Sequence, residues 1–175
     1  MLDALPDDGQ RYEVIDGELF VTSAPGEGHQ DVVRLLVVRF SRHFDGSDVG
    51  AVMVSPAEVW RGERFRNRVQ PDVFVVRRTE GKRPAYPYHL GGLLLAVEVV
   101  SPGNPLLDYH VKRDLYLREG VGEYWIINPE ARIGSRGRGQ NEPGDVIGLE
   151  LRWKPDGMPT EFVLNLPTFF DEAFR

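Results

Sequence analysis

The stretch 93–101, LLLAVEVVS, decides how the chain is read. It is apolar and rich in β-branched residues, with Gly91-Gly92 before it and Pro102-Gly103 after it. Those are the length and borders of a strand buried on both faces. Glu98 interrupts it. An ionised carboxylate taken out of water is costly unless a partner or a metal compensates, or a raised pKa neutralises it. Either Glu98 has a specific partner or the strand assignment is wrong.

Downstream, Asp108 to Glu119 (DYHVKRDLYLRE) reads as a helix closed by Gly120, and Tyr124 to Asn128 (YWIIN) as a second buried strand stopped by Pro129. A strand, a helix and a strand so closely spaced predict a βαβ crossover with parallel strands. Residues 131–145, with almost no apolar content and three arginines, read as a mobile loop. Val146 to Trp153 and Glu161 to Leu166 read as strands, and Leu166 to Phe174 as a capping segment.

Upstream, Arg11 to Ile15 and Glu18 to Thr22 flank Asp16-Gly17, a strong hairpin signal. His29 to Phe44 carries a broad apolar stripe and is the predicted main packing helix. Val49 to Val54 and Ala57 to Trp60 read as strands, Arg61 to Arg68 as a turn, Val69 to Val76 as one strand, and Arg77 to Gly92 as a loop. The 175 residues fit one domain spanning 1–175, with no internal repeat and no linker long enough to divide it.

Composition narrows the setting. No apolar run approaches the roughly 18 residues of a membrane span, and the N-terminus lacks a signal-peptide pattern. With no cysteine there is no disulfide, thiolate metal site or cysteine nucleophile, and a cytoplasmic setting is expected. The net charge of −6 argues against generic nucleic-acid binding. Locally the sign reverses. Between Trp60 and Arg83 lie eight basic and three acidic residues, a net of +5 that leaves −11 to the remainder. Arg61, Arg64, Arg66, Arg68, Arg77 and Arg78 form either a phosphate-binding rim or a solvated loop.

Asp72, in QPDVFVV, is the natural partner for Glu98, because it too interrupts an apolar strand. Neighbouring strands would bring both carboxylates together, where like charge raises their pKa values unless a cation sits between them. Oxygen ligation by two carboxylates and water suits Mg²⁺ or Mn²⁺. Either acid alone reads better as a strand-end residue, hydrogen-bonded to backbone or paired with one of the arginines nearby; together they stand out, because both interrupt apolar strands. Lys112 shares a helix face with Asp108 at i, i+4. That spacing is compatible with a surface ion pair and with an ammonium turned towards the carboxylates.

The order RYEVIDGEL, GHQDVV, QPDVFVV, VEVVSP with Asp108 and Lys112 after it, then GVGEYWIINPE resembles the Uma-two family. These are endonucleases of the broad PD-(D/E)XK class, and the resemblance runs from about Arg11 to Glu130. It implies an α/β, restriction-endonuclease-like fold: a mixed central β-sheet flanked by helices, with the N-terminal β-hairpin and the long packing helix. It further implies Mg²⁺-dependent (or Mn²⁺-dependent) hydrolysis of phosphodiester bonds in nucleic acid, expected to be DNA. Asp72 and Glu98 would hold the metal, with Glu18 as a further acid near it. The broad class places a lysine two residues after the second acid, where this chain has Val100; Lys112 matches the family's displaced lysine. His29 matches a recurrent family position, and Asp108 precedes the lysine by one turn. A homodimer is expected if both strands of a duplex are cut, and no membrane partner is expected.

Two other functions remain open. One is a catalytically silent module of the same fold that binds nucleic acid or a protein. The other is a metal-dependent hydrolase of a small phosphate ester. Neither a Walker-type phosphate loop nor a Gly-x-Ser-x-Gly elbow is present.

Overall fold

The structure, a computed structural model, describes residues 9–22, 24–61, 66–101, 106–138 and 144–175. Its centre is a six-stranded mixed sheet of β3 (Gly50–Val54), β6 (Val73–Arg77), β8 (Leu93–Val99), β9 (Tyr124–Asn128), β10 (Ile133–Gly137) and β11 (Asp145–Ile147). The spatial order is β11-β10-β9-β8-β6-β3. A second sheet contains β1 (Arg11–Ile15), β2 (Glu18–Thr22), β4 (Val59–Arg61), β5 (Asn67–Val69) and β7 (Tyr88–His89), in the order β2-β1-β5-β4-β7. The expected mixed sheet with flanking helices is what the chain adopts.

All seven residues of β8 are buried, as its unbroken apolar run requires. It pairs antiparallel with β6 and parallel with β9. The parallel pairing needs a crossover, supplied by a π-helical turn, Leu107–Lys112, that runs into α2 (Arg113–Arg118). Gly120 follows at φ 80°, a left-handed position where glycine carries no Cβ penalty.

The helix α1 (Glu27–His43) covers one face of the central sheet. His29, Val32, Val33, Leu36 and Phe40 fall on a single stripe, and all five are buried. The hairpin of β12 (Glu150–Trp153) and β13 (Phe162–Asn165), with α3 (Leu166–Ala173), completes that layer, where Phe40 stacks on Phe162 at 4.4 Å between ring centroids. Asn165 caps α3 by accepting the Thr168 N–H at 3.1 Å. The opposite face buries Phe74, Val76, Ala96 and Ile126 against the small sheet and the crossover helix. Among the described residues no helix is long and apolar enough to cross a membrane.

Several sequence expectations change. Val146 to Trp153, expected as one strand, divides between β11 of the central sheet and β12, which pairs with β13. The run 69–76 is not one strand. Asn67–Val69 belongs to the small sheet and Val73–Arg77 to the central one. Pro71 lies at the break, where a residue without an N–H costs neither ladder a hydrogen bond. The segment 77–92 contains a short strand, β7, parallel to β4. The supposed loop 131–145 contains β10 and the start of β11, which pair with each other. Low apolar content concealed this strand because its fit requires small residues. A Cβ on Gly134 would lie 2.6 Å from Leu151 Cδ1.

Candidate functional site

Strand register brings the two interrupting carboxylates together. Val73 pairs with Val97 and Phe74 with Ala96. One antiparallel step further places Asp72 opposite Glu98, on the same face. The two residues are 3% and 1% exposed. Asp72 Oδ2 accepts the Val99 N–H at 2.8 Å, and Glu98 Oε1 accepts the Tyr116 hydroxyl at 2.7 Å.

The crossover delivers Lys112 to the same place. Its Nζ lies 2.9 Å from Glu13 Oε2, 3.1 Å from Glu98 Oε1 and 3.6 Å from Asp108 Oδ1. At 3% exposure Lys112 is no surface partner of Asp108. Val100, where the broad class carries its lysine, sits at the end of β8 and donates its N–H to Ile127 O.

Two residues of the site were missed from sequence, both on β1. Glu13, 1% exposed, salt-bridges Lys112 and accepts the Gln70 N–H at 2.7 Å. Arg11 donates from both terminal nitrogens to Asp72 Oδ1, at 2.7 and 2.6 Å. The signal was present: alternation along RYEVI puts Arg11, Glu13 and Ile15 on one face, and Ile15 is buried.

Glu18 does not take the expected place beside the metal acids. It pairs with Ile15 immediately after the turn, is exposed, and does not line the pocket. The buried acid of the hairpin is Glu13. The positive φ of Asp16 (51°) and Gly17 (86°) fixes a two-residue turn and with it this register.

His29 is drawn in from the first turn of α1. Its Nε2 lies 3.0 Å from Asp72 Oδ2, and its Nδ1 has no hydrogen-bond partner among the described residues. With Asp72 ionised, Nε2 carries the proton and donates.

The arginines expected to form a rim do not surround this pocket. Arg61 binds Glu119 through its carboxylate and its carbonyl, and Arg68 pairs with Glu58. Arg78 donates to the carbonyls of Gly50 and Gly81 at 3.1 and 2.9 Å. Arg66 and Arg77 are exposed, and none of these five lines the pocket. Arg77 is five residues beyond Asp72, roughly 16 Å along an extended strand. Arg64 lies outside the described residues.

The pocket has a volume of about 290 Å³ and opens beside Arg11, Asp72, Glu98, Ser101, Asp108 and Lys112. Four carboxylates (Glu13, Asp72, Glu98, Asp108) face two permanent cations (Arg11, Lys112), so that full ionisation would leave two negative charges uncompensated. Burial pushes Glu98 well above the usual carboxylate range, and the neighbouring acids add to this against the pull of Lys112. Burial also raises Asp108 to about 6. Asp72 goes the other way: burial opposes its charge, but the His29 hydrogen bond and the Arg11 guanidinium outweigh it and lower its pKa. Lys112 is raised despite its burial, because Glu13, Glu98, Asp108 and Asp72 all stabilise the ammonium. A lysine so held donates hydrogen bonds and positive charge; it has no lone pair to take a proton.

The donor chemistry fits a hard divalent cation in kind and charge: the acids offer only oxygens, and two positive charges would balance the excess. The ligand set is not preassembled. Among the described residues no three His, Asp or Glu groups stand together as a metal site. Asp72 is already engaged, Oδ1 by Arg11 and Oδ2 by His29 and Val99.

A family model described as "Uma2: Putative restriction endonuclease" matches residues 1–161. Among solved structures, a "putative nuclease belonging to DUF820" from Anabaena variabilis ATCC 29413 is similar with a TM-score of 0.78 and 17% identity. The match covers 98% of this chain and 96% of that one, and at such identity it speaks for the fold. No curated protein matches.

Proposed function

Because the chain belongs to the Uma2 family, we propose that this pocket hydrolyses phosphodiester bonds of nucleic acid, with DNA as substrate and Mg²⁺ or Mn²⁺ as cofactor. The observation that carries the reading is the juxtaposition of Asp72 and Glu98 across β6 and β8 with the Lys112 ammonium 3.1 Å from Glu98. Asp72 and Glu98 are the residues that would hold the cation, with Asp108 near them at the pocket wall. When bound, the cation lowers the pKa of a coordinated water and neutralises charge on the scissile phosphate.

The chain's own groups do the rest. Lys112, fixed by Glu13 and Asp108 as well as Glu98, presents a positive charge where negative charge develops on the phosphorus oxygens. Tyr116 donates to Glu98 and holds its carboxylate in one orientation. His29 and the Val99 N–H do the same for Asp72. A double-strand cut requires two such sites, so a homodimer on the duplex is part of the proposal.

Incubating supercoiled plasmid and single-stranded DNA with wild type and Asp72→Asn, in Mg²⁺ and in EDTA, tests it. The expected result is cleavage by wild type in Mg²⁺ alone. Equal residual cleavage in both proteins would transfer the activity to a contaminant and leave the silent binding module as the better reading.

A further inference from the structure

Asp72 holds its expected place in the proposed metal site, yet a cation already occupies it. Both terminal nitrogens of Arg11 donate to Oδ1, at 2.7 and 2.6 Å. Such a charge-assisted fork is stronger than a neutral hydrogen bond and directional. Its Nη1 also reaches Gln70 O at 3.4 Å, so the guanidinium bridges the end of β5 to the start of β6. Unlike Lys112, Arg11 is not enclosed. Its side chain is 20% exposed against 4% for Lys112.

Resting on the metal-dependent reading above, we infer that Arg11 is a positioning residue that occupies the cation place on Asp72 and must be displaced when a divalent cation binds.

Three features support this. A divalent ion brings two positive charges where the guanidinium brings one, and so offsets more of the acidic surplus of the pocket. Oδ1, the oxygen Arg11 occupies, is the one left by His29 and Val99, which both bind Oδ2. The displaced side chain also has room. Arg11 and Asp72 also line a second cavity of about 410 Å³, walled in part by His29, Gln30, Ser55 and Gln70. Amide, hydroxyl and imidazole groups there can accept from a guanidinium swung off the carboxylate. The contact keeps the buried Asp72 charge paired without metal and sets the affinity of the site for metal.

Calorimetric titration of Mn²⁺ into wild type, Arg11→Gln and Arg11→Lys, with Asp72→Asn as control, tests the displacement. Arg11→Lys retains the charge but replaces the two-nitrogen fork by a single donor group. It therefore separates loss of the contact from loss of long-range repulsion. The expected order of Mn²⁺ affinity is wild type, then Arg11→Lys about threefold tighter, then Arg11→Gln at least about tenfold tighter, the scale of one charged hydrogen bond or more. Thermal melts supply a second readout: both variants melt below wild type in EDTA, and saturating Mn²⁺ narrows the gap. If Arg11→Gln fails to fold, Arg11→Lys decides alone. Wild-type affinity in Arg11→Lys overturns the displacement, whatever Arg11→Gln does. Asp72-dependent Mn²⁺ binding that ignores Arg11 overturns this inference and leaves the metal-dependent function standing. Absence of Mn²⁺ binding in all variants overturns both.

Discussion

Without its ammonium, Lys112 would leave Glu13, Glu98 and Asp108 facing one another with little solvent to screen them. Removing one partner of a buried ion cluster typically costs about 3–5 kcal/mol, and that loss is expected for Lys112→Met by urea unfolding in EDTA. A loss below about 1 kcal/mol, the surface-pair range, would contradict the buried role. Asp108 makes the opposite prediction, with a defined sign. Its folded pKa is about 6 against an ordinary 3.8, so the fold favours the protonated carboxyl. The stabilising contribution is complete below the ordinary value and is lost as pH rises through 6. Asp108→Asn, neutral throughout, is expected to gain on the order of 2–3 kcal/mol relative to wild type between pH 4 and pH 7 in EDTA. Parallel pH profiles for the two proteins would contradict this. Asp72, Glu98 and Lys112 were legible as candidates because each sets a charge in an apolar or helical pattern that does not explain it. Arg11 and Glu13 looked like ordinary polar positions of a hairpin. Alternation puts them on one face with Ile15, and the register of β1 against β2, with β5 packed beside it, turns that face inward.

The crossover is the element that brings the lysine to the acids, and its far end is tight. A Cβ on Gly122 would lie 2.8 Å from the Leu94 carbonyl oxygen, which belongs to a paired strand and cannot swing aside. Gly122→Ala is expected to cost about 1–3 kcal/mol through overpacking, measured by thermal or urea unfolding. A neutral outcome would mean that the β8–α2–β9 unit is looser than its geometry. Sequence periodicity found this unit because a fully buried strand, a Gly-terminated helix and a second apolar strand leave little choice of topology. It failed at Gln70-Pro71-Asp72, where one apolar run serves two sheets. It failed again at Ile133–Gly137, where glycine and serine form a strand by close approach rather than by apolar pattern.

At the scale of the whole molecule, the mixed sheet collects the site at the point where β6, β8, the hairpin and α1 meet. Any cation that binds there binds the folded chain alone, so it must stabilise the fold. A ligand at 100 times its dissociation constant contributes about 2.7 kcal/mol. For a chain of this size that corresponds to a rise of about 5–10 °C in melting temperature. Saturating Mg²⁺ is expected to produce such a rise in wild type and not in Asp72→Asn, read by differential scanning calorimetry against EDTA. An identical shift in both would place the bound ion elsewhere. We propose that Asp72, immediately before β6, and Glu98, in β8, form a metal-dependent phosphodiesterase site. The most direct measurement is the initial rate of plasmid nicking, with Mg²⁺ titrated into wild type and Glu98→Gln. Wild type is expected to saturate with Mg²⁺, and Glu98→Gln to fall by about 100-fold or more, as on removal of one preorganised charged group. Nicking by Glu98→Gln at the wild-type rate and with the wild-type Mg²⁺ dependence would contradict the claim.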